Sequence, residues 1–102
     1  MLKLCTIPCH KCRFGMRGII AACHYDAGRN MIAMLKGQKR YIVNPPEACS
    51  RLGILSEKSH PSYRHSVYDW SDLDFARKHF DKVPAIDTVV KKGEILYLPS
   101  FW

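Results

Sequence analysis

Between Gly18 and Pro46 the chain reads GIIAACHYDAGRNMIAMLKGQKRYIVNPP, and the way this stretch folds decides the architecture. Its opening, GIIAACHYD, is a short apolar run turning polar, which predicts a buried strand rather than a helix. In NMIAMLKGQKRYIV, two apolar runs flank Lys36-Gly37-Gln38. That pattern predicts a β-hairpin with Gly37 at positive φ. Asn44-Pro45-Pro46 then ends the second strand, because proline has no N–H to give to a ladder.

Outward from this stretch the pattern stays mainly β. A helical turn is predicted around Glu47–Leu52, followed by a long loop, SEKSHPSYRHSVYDW, rich in His, Ser and aromatic residues. SDLDFARKHF, from Ser71 to Phe80, predicts a helix capped by Ser71, with Asp72 and Asp74 at the positive end of its dipole and Leu73, Phe75, Ala76 and Phe80 as its apolar stripe. AIDTVV and ILYLP read as strands joined by a turn at Lys91-Lys92-Gly93-Glu94. One short helix between two hairpins implies half of a barrel or sandwich, not a doubly wound α/β sheet.

The chain has 102 residues, enough for one modest domain. With 47% hydrophobic and 25% charged residues and no biased run, the composition excludes a disordered tail, a fibre and a repeat array. No apolar stretch reaches the roughly 20 residues of a membrane span. Behind the net charge of +7 stand 16 Lys and Arg residues, of which the pairs Lys39-Arg40, Arg77-Lys78 and Lys91-Lys92 hold six. There is no helix-length basic stripe, which speaks against nucleic-acid binding as the main function. Five cysteines (Cys5, Cys9, Cys12, Cys23, Cys49) without a secretory signal imply a reducing compartment, cytoplasmic or nuclear, with organelle import left open. The C-x3-C-x2-C run at Cys5, Cys9 and Cys12, with His10 inside it, offers zinc-type ligands. A second knuckle is missing, so Cys23 or His24 would have to complete the set. The plainer reading is a segment of reduced thiols.

His24-Tyr25-Asp26 is the candidate chemical centre. Residues two apart on a strand share a face, so His24 and Asp26 present an imidazole and a carboxylate side by side while Tyr25 points away. With a second histidine, such a pair makes the 2-His-1-carboxylate set that binds Fe(II) on one face.

The Gly18–Pro46 stretch resembles the core of the JmjC/cupin-like Fe(II)- and 2-oxoglutarate-dependent oxygenases. In that family an H-x-D strand end is followed by an Asn, a hydrophobic strand, a G-x-K-R turn and a Pro-Pro stop. VVKKGEILYLPSFW and HPSYRHSVYDWSDLDFARKHFDKVPA resemble two further segments of the same family. The resemblance implies a partial double-stranded β-helix (jelly-roll cupin) over residues 14–102, with residues 1–13 unassigned. It implies Fe(II) held by His24 and Asp26, with Lys39 pairing the distal carboxylate of 2-oxoglutarate and Asn30 near that cosubstrate. The implied reaction is hydroxylation of a protein side chain or an RNA base by dioxygen.

Two departures stand out. Ala21 replaces a cosubstrate-binding threonine, and the family's second histidine would fall just past Trp102. The expectation is therefore a truncated member, inactive as it stands unless His60, His65 or the Cys9–Cys12 segment substitutes. The alternatives are a non-catalytic cupin-like interaction module and a small zinc-binding module. For His60, Tyr63 and His65 the resemblance implies the lining of a substrate groove, and the plainer reading is an exposed polar loop. Missing strands would leave unpaired sheet edges and favour self-association.

Overall fold

The computed structural model describes residues 11–102, so Cys5, Cys9 and His10 lie outside the described residues. Four strands and one α-helix form in the order β1 (Asn30–Ala33), β2 (Gln38–Val43), α1 (Leu73–Phe80), β3 (Ile86–Lys91) and β4 (Ile95–Leu98). A single 3-10 turn, Pro46–Ala48, follows β2. No helix among the described residues is long and apolar enough to cross a membrane.

Neither predicted hairpin forms. Strand β1 pairs with β4, Asn30 opposite Leu98 through Ala33 opposite Ile95. Strand β2 pairs with β3, Gln38 opposite Lys91 through Val43 opposite Ile86. The arms 30–43 and 86–98 thus run antiparallel along their whole length, as one two-stranded ribbon bent in the middle. At the bend, residues 34–37 face residues 92–94, one more residue on the first arm than on the second, the count of a β-bulge. Three backbone bonds hold this corner: Met34 N–H to the Glu94 carbonyl (3.0 Å), Gly93 N–H to Met34 (2.8 Å) and Lys92 N–H to Gly37 (3.0 Å). Gly37 and Gly93 do take positive φ, +78° and +87°. They bend the two arms together instead of reversing either one.

Side chains alternate along the ribbon as the pleat requires. Asn30, Ile32, Leu96 and Leu98 are half-buried, while Met31, Ala33, Ile95 and Tyr97 are exposed. On the other half, Tyr41, Val43, Thr88 and Val90 turn inward, and Val90 is the buried residue of the ribbon. Arg40 and Asp87 pair across the outer face, with Arg40 Nε donating to Asp87 at 2.8 Å.

The remaining core belongs to the long connection between β2 and β3. Ala48, Leu52 and Val83 are buried there, with Cys23, Ile54, Trp70 and Phe80 packed against them. Trp70 and Phe80 stack at 4.2 Å between ring centroids. Gly53, at φ +63°, lies beneath the Tyr68 ring, which sits where a Cβ would project.

Three further expectations are corrected. The helix lies between β2 and β3, the two inner strands of the ribbon, rather than between hairpins. Its N-cap is Asp72, which accepts from the Asp74 and Phe75 N–H groups. Ser71 instead spends its N–H and hydroxyl on Asp69. Finally, Gly18–Asp26 is not a buried strand. Ile19 and Ile20 are 63% and 69% exposed, and the segment's ladder contact is the lone bridge of His24 to His65. An apolar run becomes a strand only where a partner supplies its hydrogen bonds.

Candidate metal and cosubstrate site

The H-x-D segment is anchored from two sides. Ser66 N–H donates to the Cys23 carbonyl (2.8 Å), and Tyr25 N–H donates to Arg64 (3.2 Å). This sets His24 opposite His65 in a close, non-hydrogen-bonded cross-strand pair. Their rings stack at 5.1 Å, 22° from parallel. On the other side, Phe101 N–H donates to the Asp26 carbonyl (2.9 Å), and the Phe101 ring packs on Tyr25 at 5.8 Å. The segment Pro99–Trp102 therefore ends beside the candidate ligands.

Within the segment, His24 and Asp26 are exposed and Tyr25 is half-buried, the alternation expected of an extended chain. His24 Nδ1 lies 2.7 Å from the Ala22 carbonyl, which can only accept. The contact thus requires a proton on Nδ1 and leaves the lone pair of the neutral ring on Nε2. A carbonyl holding one nitrogen while the other faces a metal is the usual arrangement of a ligating histidine. Asp26 Oδ2 accepts from the Asn30 amide at 2.9 Å, an orienting partner of the kind ligating carboxylates have. One oxygen remains unused by that bond.

Lys39 sits on β2, directly opposite Val90, on the face that also carries Tyr41 and Thr88. Its ammonium lies 4.9 Å from the centre of the Tyr41 ring, a cation–π contact. Burial pushes the Tyr41 phenol above its ordinary pKa, with Arg13 opposing, so the ring beneath Lys39 remains neutral. A cavity of about 200 Å³ opens between the two inner faces of the ribbon, lined by Val43, Thr88, Leu96, Leu98, Pro99 and Trp102. Its walls are the faces that carry Lys39 on one half and Asn30 on the other.

Of the four sequence-derived residues, then, Asp26 and Asn30 are in direct contact, His24 is two residues away on the same segment, and Lys39 stands on the opposite half of the ribbon. The donor set, one imidazole nitrogen with a free lone pair and one carboxylate, fits two positions of a facial 2-His-1-carboxylate site. No group of three or more His, Cys, Asp or Glu side chains that could hold a metal ion exists among the described residues, so neither His60 nor His65 completes the set. His60 uses Nδ1 to accept the Ser62 N–H. His65 sets Nδ1 against the Tyr63 carbonyl at 3.1 Å, as His24 does against Ala22, but its ring stacks on that of His24. Burial first, then the neighbouring Cys49, raises the Cys23 thiol to about 11; the zinc reading's other ligands Cys5, Cys9 and His10 lie outside the described residues. His65 as the stacking partner of His24, and Tyr41 as the platform of Lys39, escaped the sequence reading. The first contact spans a loop with no periodic signal. The second could have been found from the Lys39-x-Tyr41 spacing on a strand.

Residues 10–102 match the cupin-like domain family, and the chain belongs to it. Among curated proteins, it is 26% identical over 91 residues to the tRNA wybutosine-synthesizing protein 5 of Danio rerio. That alignment covers 88% of this chain and 26% of the relative, so the chain spans about a quarter of that protein's length.

Proposed function

We propose that this chain carries part of the active site of an Fe(II)- and 2-oxoglutarate-dependent hydroxylase with a jelly-roll cupin core, acting on RNA in preference to a protein side chain. The observation that carries the reading is the pairing of His24, its Nε2 left free by the Ala22 contact, with Asp26, oriented by Asn30, inside a cupin-like chain. His24 and Asp26 hold the metal. Lys39 offers its ammonium to the distal carboxylate of the cosubstrate, a charge that must be matched once the diacid leaves water. The Tyr41 ring keeps that ammonium directed along the inner face. The apolar cleft on the same inner faces, with Leu96 and Leu98 in its walls, offers a surface to the methylene groups of the diacid. When bound, ferrous ion with 2-oxoglutarate and dioxygen supplies the oxidising power for C–H hydroxylation. The preference for RNA rests on the relative named for tRNA wybutosine synthesis.

A second reading, a non-catalytic cupin-like interaction module, is favoured by one observation: the described residues offer no third ligand. Both readings include self-association through the unpaired outer edges of the two-stranded halves, read as a mass above one chain in light scattering. Fe(II)-dependent binding of 2-oxoglutarate to the chain separates the two readings. The hydroxylase reading expects binding that His24→Ala abolishes, and at least about a tenfold higher Kd for 2-oxoglutarate in Lys39→Ala, about 1.4 kcal/mol. Binding indifferent to His24→Ala overturns it.

A further inference from the structure

The corner of the ribbon gathers charge that is scattered in the sequence. Lys36 lies in the 34–37 bend. Lys91 sits opposite Gln38 at the end of the β2–β3 ladder, and Lys92 donates its N–H to the Gly37 carbonyl at 3.0 Å. All three lysine side chains are exposed. The cations near them are compensated differently. Arg40, a few residues along the outer face, is paired with Asp87, the one ion pair found among the described residues. Glu94 offsets one of the three ammoniums while its carboxylate accepts the Lys91 N–H at 2.7 Å. The corner keeps a net positive charge. It is also bare: nothing lies within 4 Å of where a Cβ would stand on Gly37 or Gly93, so a ligand can reach the backbone between the lysines. Helix α1 and its flanks contrast with this, because Arg77, Lys78 and Lys82 alternate there with Asp72, Asp74 and Asp81.

We propose that this corner, Lys36, Lys91 and Lys92 over the two open glycines, docks the phosphate backbone of the RNA substrate. The proposal rests on the reading of an RNA substrate given above. Ammonium groups on flexible stems suit phosphates as point charges, and the hydrogen-bonded corner beneath them fixes where those stems begin. The corner begins at Met34, beyond the end of β1, about 13 Å along the chain from Asn30 at about 3.3 Å per residue. A nucleic-acid strand held there by its backbone leaves a base free to reach toward the Asp26 end. The name of the relative, which links it to tRNA, favours RNA over an acidic protein as the partner.

The test is fluorescence anisotropy of a labelled tRNA transcript with the full chain at several KCl concentrations, with circular dichroism checking that each variant stays folded. The triple variant Lys36→Gln, Lys91→Gln, Lys92→Gln is expected to bind about tenfold more weakly. Its slope of log affinity against log salt should be shallower by about two, since each lost phosphate contact removes roughly 0.7–0.9. The corresponding lysine-to-arginine triple should retain binding, and Arg77→Gln with Lys78→Gln should change neither value. The glutamine triple should keep the Fe(II)-dependent 2-oxoglutarate binding of the unaltered chain, so failure of the corner and failure of the metal site register in separate assays. Unchanged affinity and slope in the glutamine triple, an equal loss in the helix variant, or lysine-dependent binding of phosphatidylserine vesicles without tRNA binding overturns the proposal.

Discussion

The bent ribbon and the long connection between its arms are held together by different physics. The ribbon is backbone-dominated: ten facing residue pairs and the crossed bonds of the corner fix it, yet Val90 is its one buried side chain. Met31 and Ile95, 74% and 63% exposed, face outward. The connection has little regular structure but holds Ala48, Leu52 and Val83, with Trp70 and Phe80 stacked against them. Local packing thus stabilises the segment that carries His65, while the segment that carries Lys39 depends on pairing across about fifty residues of sequence. A two-stranded ribbon is marginal alone in water, and the side-chain packing it lacks is concentrated in the connection.

This contrast is breakable by substitution. Leu52→Ala is expected to produce the largest loss, about 2–5 kcal/mol in urea unfolding, as a buried leucine removed from a small core. Met31→Ala on the outer ribbon face should stay within about 0.5 kcal/mol. A reversed order would mean that the ribbon face, not the connection, holds the core.

Next in size are the glycines. Gly53→Ala combines a positive φ with a Cβ placed 2.5 Å from the Tyr68 ring, and a cost of about 1–3 kcal/mol is expected. Gly93→Ala meets open space and only the backbone penalty, about 1 kcal/mol. Equal melting shifts for the two would sharpen the comparison by showing that Tyr68 yields freely.

The smallest effect belongs to the outer ion pair. The Arg40 guanidinium, through its hydrogen bonds, holds the Asp87 carboxyl below the usual carboxylate range. A depressed folded value means that the contribution is present above the unfolded pKa of about 3.9 and is lost as the pH falls through the lower folded value. Both partners are exposed, so Asp87→Asn should lower thermal stability slightly at pH 7 and low salt. Wild type and variant should converge in acid or at high salt.

Much of the local structure was legible in the sequence, because it depends on residues close together in the chain. Gly37 announced its positive φ, Pro45 and Pro46 ended β2 at Val43, and the Phe75/Ala76/Phe80 spacing marked the helix to within two residues at its start. Pairing was not legible. A glycine turn between two apolar runs looks the same whether the runs meet each other or each meets a distant partner, and only the facing arm at 86–98 decides. The Asp72 cap was missed for a local reason: Asp69 competes for Ser71 and shifts the helix start by one residue. The H-x-D motif was legible as chemistry. Its anchoring by Arg64, Ser66 and Phe101 was not, since those partners come from loops and the last residues of the chain.

The proposed metal ion lies between His24 and Asp26, next to Asn30 and Phe101. Paramagnetic broadening of amide resonances by Mn(II), used in place of Fe(II), tests this most directly. The account predicts selective loss of signal from residues 24–26, Asn30 and Phe101, with α1 and the Gly37–Gly93 corner retained, and loss of that selectivity in His24→Ala. Broadening centred on Cys12 or His60, or an unaltered pattern in His24→Ala, would contradict it.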